Sequence, residues 1–131
     1  MHEFHAWVAL RDSTFESDIA VEEVVAERLR QMIAEDASPC ASFSVENFNG
    51  QYFLQAIGFI NRRRDEGARL EALLDEVVRS LPGSYGLVYE ADDEMPVPPG
   101  PNAFRVRIIA RGTMTERLDP FLSPFNPVIE D

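Results

Sequence analysis

The sequence predicts an α+β fold: a two-layer sandwich in which a mainly antiparallel sheet carries two helices on one face, in the order β-α-β-β-α-β-β. Three observations lead there. Apolar residues alternate with period two in several short segments, two longer stretches repeat them at helical spacing, and Asn49-Gly50 joins two alternating segments by a two-residue turn. Helices apolar on one stripe must bury that stripe, and one face of an antiparallel sheet accommodates two of them. The order is ferredoxin-like with an added C-terminal strand.

The elements follow in turn. Glu3 to Arg11 alternates tightly, with Phe4, Ala6, Val8 and Leu10 on one side and His5, Trp7, Ala9 and Arg11 on the other, which predicts the first strand. Asp18 is placed to cap a helix whose apolar stripe is read as Val21, Val24, Val25, Leu29, Met32 and Ile33, with Glu22 and Glu23 favouring its positive N-terminal end. Ser38-Pro39 ends it. Around Asn49-Gly50 the register pairs Phe48 with Gln51 and sets Phe43 and Val45 beside Ala56 and Leu54 on one apolar side.

A second helix is predicted from about Asp65 to Leu81, because Leu70, Leu73, Leu74, Val77, Val78 and Leu81 keep the i, i+3, i+4, i+7 spacing until Pro82-Gly83 stops it. Ser84 to Glu90 alternates as a fourth strand, with Tyr85, Leu87 and Tyr89 sharing a face, and Phe104, Val106, Ile108 and Ala110 define a fifth. The acidic, proline-rich connection from Glu90 to Asn102 reads as an exposed loop. Residues 113–131, with Pro120, Pro124 and Pro127, read as an extended tail of one domain spanning 1–131.

At 131 residues the chain supports one core and has no room for a second domain. Twelve basic residues, all arginine, against 23 acidic ones leave a formal net charge of −11. Such a field repels nucleic acid and anionic membranes and draws basic partners, while also serving plain solubility. A lone Cys40, no apolar run of bilayer length and no signal-peptide pattern at the N-terminus point to the cytoplasm.

Catalytic patterns are sparse. His2 and His5 point to opposite faces of a strand and cannot share a metal there. His5 as a general base, on an enzymatic or small-ligand-binding ferredoxin-like module, is the alternative functional reading, against an ordinary hydrogen-bonded histidine. Cys40 lacks a nucleophile's context and reads as a half-buried structural cysteine. Asp92, Asp93 and Glu94 lack the further ligands and turn glycine of a calcium loop, which leaves a solvated loop or one that contacts a basic partner. Arg62, Arg63 and Arg64 adjoin Asp65 and Glu66 and read as locally paired or solvated. Trp7, with Phe53 and Phe59, is placed for an aromatic patch, either an interface anchor or a small second core. No cofactor is expected and none of these patterns makes an enzyme.

Five blocks in order carry a resemblance: Glu3-Phe4-His5-Ala6-Trp7, Gly58-Phe59-Ile60-Asn61, Gly83-Ser84-Tyr85-Gly86-Leu87-Val88-Tyr89, Ala110-Arg111-Gly112, and Asp119-Pro120-Phe121-Leu122-Ser123-Pro124. With them the chain resembles the immunity protein 7 family of bacterial polymorphic toxin systems. The resemblance implies a non-enzymatic cytoplasmic protein, encoded beside a toxin, that binds and neutralises the C-terminal effector domain of that cognate toxin; a monomer or weak dimer is expected. Effectors of this kind include nucleases, whose basic clefts suit an acidic inhibitor. The expected toxin contacts are Trp7, Glu90, Asp92, Asp93, Glu94, Asp119 and Phe121, the acidic residues steering and the aromatic ones anchoring.

Overall fold

The computed structural model describes residues 1–16, 18–35, 38–61, 65–93 and 103–123. Arg62 to Arg64, Glu94 and the rest of the proline-rich loop, and the tail beyond Ser123 lie outside the described residues. In chain order the elements are β1 (His2–Leu10), α1 (Ile19–Ala34), β2 (Ala41–Phe48), β3 (Gln51–Ile60), α2 (Asp65–Ser80), β4 (Tyr85–Asp92), β5 (Arg105–Ala110) and β6 (Thr113–Leu118). The strands form one antiparallel sheet in the order β2-β3-β1-β4-β5-β6. Its first four strands reproduce the ferredoxin-like order that the sequence predicts, and a β5–β6 hairpin extends the sheet beyond β4.

Both helices pack on the same side. Phe4, Ala6, Val8 and Leu10 of β1 join Val45, Leu54, Ala56, Ile60 and Val88 of the flanking strands, Val25, Ala26 and Leu29 of α1, and Leu70, Leu73, Leu74 and Val77 of α2 in one core. The hairpin register is the expected one, with Phe48 opposite Gln51, Val45 opposite Leu54 and Phe43 opposite Ala56. Asn49 and Gly50 hold positive φ angles of 53° and 88°, the conformation a two-residue hairpin turn demands. At Gly58 the Phe4 ring lies where a side chain would be, 2.4 Å from the position of a Cβ, so only glycine admits it.

Four local expectations differ from the structure. On α1 the buried stripe is Glu22, Val25, Ala26 and Leu29, whereas Val21 and Val24 face outward. The cause lies at the cap: Asp18 Oδ1 accepts from the Ala20 and Val21 amides at 3.0 and 3.4 Å, and Glu22 turns inward to accept the Asp12 amide at 3.2 Å, tying the β1–α1 loop to the helix. Strand β4 continues to Asp92, so Glu90 and Asp92 belong to the sheet rather than to an exposed loop. Thr113–Leu118, read as part of the tail, form β6, because Arg111 and Gly112 take positive φ angles of 53° and 73° and close a second two-residue hairpin. Cys40, just before β2, is exposed and not half-buried.

Candidate functional site

With both helices on one side, no described helix packs on the other face of the sheet, and strand alternation decides what stands on it. Across its middle the register aligns Ser44, Gln55, Trp7, Leu87, Ile108 and Thr115, and the next row aligns Ser42, Ile57, His5, Tyr89, Val106 and Arg117. To either side lie Phe53, Ala9 and Tyr85, and Phe59, Glu3 and Ala91. The strands therefore put apolar and aromatic residues along the centre of the face and hydroxyl or charged residues at its two edges.

Trp7, Ile57, Phe59 and Tyr85 are each between 44% and 57% exposed, an uncommon degree for large apolar side chains standing together on β1, β3 and β4. The Trp7 and Tyr85 rings meet edge to face at 6.3 Å, which fixes the indole at the centre of the patch.

Toward β5 the same face is covered. Val106 and Phe104 are buried, the Tyr89 and Phe104 rings lie 6.3 Å apart, and Ser123 Oγ accepts the Phe104 amide at 2.8 Å. Burial, together with the charge of Asp119 and a hydrogen bond to it, pushes the Tyr89 phenol above its ordinary pKa. Asp119 also accepts the Leu122 amide, so residues 119–123 form a small turn fastened over the end of the sheet, with Phe121 at its tip facing solvent.

Beneath the face, on the helix side, lies a buried set of charges. Glu90 sits 3.0 Å from His2 Nε2 and 3.2 Å from Arg105 Nη2, and also pairs with Arg107. Arg107 continues to Glu71 of α2 at 2.6 Å, and Arg105 to Glu116 of β6 at 3.0 Å. Burial alone would raise the Glu90 pKa; the His2 hydrogen bond and the two guanidinium charges outweigh it and hold the carboxyl at about 2. Burial likewise works against the Arg107 charge, but its hydrogen bond to Glu71 and the adjacent carboxylates raise its pKa instead. These pairs clamp β1, β4, β5, β6 and α2 together.

The residues expected to meet a toxin are thus divided. Trp7 and Phe121 are exposed, and Asp93 is exposed while pairing with the Met1 amino group at 2.6 Å. Glu90, Asp92 and Asp119 are 3%, 2% and 0% exposed, so in this conformation their charges face the interior rather than a partner. Glu94 lies outside the described residues. Ile57 and Tyr85 join the face although they were not singled out in the sequence; their signal was the alternation itself, once the side occupied by the helices is known. His5 stands on the open face with Nε2 2.6 Å from Glu3 Oε2, but lines none of the three described cavities, which lie around Phe15 and Pro82, between Met32 and Arg69, and beside Ser13 and Ile19. Among the described residues no group of three or more His, Cys, Asp or Glu is arranged to hold a metal ion. No described helix is long and apolar enough to cross a membrane.

A family model described as Immunity protein 7 matches residues 1–131, the whole length of the chain. No curated protein and no solved structure matches it.

Proposed function

The chain belongs to the immunity protein 7 family, and we propose that it protects a bacterial cell by binding the effector domain of a cognate polymorphic toxin through the open face of its sheet. The observation that carries this reading is the exposed set Trp7, Ile57, Phe59 and Tyr85 on a rigid sheet whose other face is filled by helices. Half-exposed aromatic residues on a rigid scaffold are the usual anchors of a protein interface, because they bury large area at small entropic cost. A formal charge of −11 favours a basic partner. A nuclease effector, basic because it binds phosphate, has that character.

In this reading Trp7 anchors the complex, Phe121 and Asp93 lie at its margin, and Glu90, Asp92 and Asp119 act from within by holding the face in shape. Inhibition is stoichiometric and takes place in the cytoplasm, with no chemistry by the immunity protein. The test is co-expression with the toxin encoded beside it. Ile57→Glu and Trp7→Ala are expected to abolish or sharply reduce protection while leaving the circular dichroism spectrum and melting temperature close to wild type, since both side chains are already half in water. Full protection by Ile57→Glu, folded and expressed at the wild-type level, would overturn the open face as the binding surface.

A further inference from the structure

We propose that residues 12–16, which follow the end of β1, are a second docking surface for the same basic effector, with Phe15 as its anchor; this rests on the reading of the open face as the toxin-binding surface. Phe15 is 92% exposed, the most exposed large apolar side chain described. The loop that carries it is nevertheless fastened at several amides. Ser84 Oγ accepts the Arg11 amide at 3.1 Å, Glu22 Oε1 accepts the Asp12 amide at 3.2 Å, and Ser13 Oγ accepts the amides of Phe15 and Glu16 at 3.1 and 3.5 Å. Gly83 lies so close to the Ser13 backbone that a Cβ there would stand 2.3 Å from the Ser13 carbonyl carbon.

A loop held in this way is ordered before a partner arrives, so its aromatic ring buries area on binding without the entropic cost that a loose loop adds. The loop is also joined to the open face. Ser84, which holds the Arg11 amide, precedes Tyr85, and the Tyr85 ring meets Trp7 at 6.3 Å. Ala9 and Tyr85 stand opposite each other, so residues 12–16 leave the sheet beside the strand end that carries this pair of rings. Charge selects the occupant. Two adjoining clefts flank Ser13; Asp12, Glu16 and Asp18 line them, against one cation, Arg111, among the described lining residues. Carboxylates around an apolar ring favour a basic partner, and they oppose a second copy of this chain, which would bring the same acids and a further charge of −11 to the contact.

The experiment measures the affinity and rates of binding to the purified effector domain of the toxin encoded beside this chain. Phe15→Ala is expected to weaken affinity by about 10- to 100-fold, chiefly through faster dissociation, with the melting temperature unchanged because the ring buries so little of itself in the fold. Glu16→Arg is expected to slow association several-fold at low salt and to lose that effect at high salt. Wild-type affinity in Phe15→Ala overturns the second surface. Association unchanged by Glu16→Arg overturns a basic partner as its occupant. So does a dimer of the free protein in sedimentation that Phe15→Ala dissolves while effector affinity stays as it was, because Phe15 would then be a contact between copies. If Trp7→Ala and Ile57→Glu lose binding while Phe15→Ala does not, the second surface alone fails; if Phe15→Ala loses binding while they do not, it is the open face that fails as the docking surface.

Discussion

On the helix side of the sheet one buried carboxylate, that of Glu90, meets His2, Arg105 and Arg107. Its folded pKa of about 2 lies below the ordinary 4.5, so its contribution to stability is complete above about pH 4.5 and is lost as pH falls toward 2. The size of that contribution is about 3 kcal/mol, taking 1.36 kcal/mol per pKa unit. Glu90→Gln is therefore expected to lower the unfolding free energy in urea at pH 7 by about 3 kcal/mol and to flatten the acid limb of the stability curve. A variant as stable as wild type would mean that the buried arginines are satisfied without it. Gly58 is a second fixed point, since any side chain there must displace the Phe4 ring, which also stacks on Phe43 at 5.9 Å.

Among the elements, the β5–β6 hairpin is the least expected and the most easily improved. Its turn places Arg111 at a positive φ of 53°, a conformation that asparagine and glycine adopt at lower cost. The Arg111→Asn variant is expected to gain about 0.5–1 kcal/mol, which for a domain of this size raises the melting temperature by a few degrees in calorimetry. An unchanged or lower value would show that the arginine side chain repays its strained backbone. At the other edge of the sheet, Arg30 of α1 donates to the Val45 carbonyl of β2 at 3.2 and 3.0 Å and lies over the Tyr52 ring at 5.8 Å. A helix side chain thereby occupies a hydrogen-bonding position that an edge strand otherwise offers to another chain.

For the whole molecule, net charge and the apolar face have separable effects. In the proposed complex a charge of −11 would accelerate encounter with a basic effector within about a Debye length, whereas the aromatic patch, once desolvated, would govern how slowly the complex comes apart. Raising salt from 50 to 500 mM is expected to slow association with the effector at least tenfold while changing dissociation much less, as read by stopped-flow fluorescence of Trp7, the single tryptophan. Association indifferent to salt would remove steering from the mechanism and leave the charge to solubility alone.

The two kinds of period in the sequence were enough for five of the six strands and both helices, but not for β6. The alternation of β1, the helical spacing of α2 and Asn49-Gly50 specify the first four strands, the register of the β2–β3 hairpin and the side that the helices cover, because backbone geometry ties each period to a face. They do not specify how a helix is rotated at its cap, which is why Glu22 and not Val21 or Val24 turns inward on α1. Nor do they tell where a strand ends when its last residues are charged, as at Glu90, whose ion-pair partners Arg105 and Arg107 lie on the next strand of the sheet. Trp7 was visible as an aromatic residue on the side of β1 away from the core, to be grouped with Phe53 and Phe59, but the addition of Ile57 and Tyr85 required three strands to be laid side by side. Local sequence determined which side chains share a strand face; only the tertiary structure decided which acids are buried and which aromatics remain in water, because desolvation and charge pairing depend on neighbours that the chain brings together by folding.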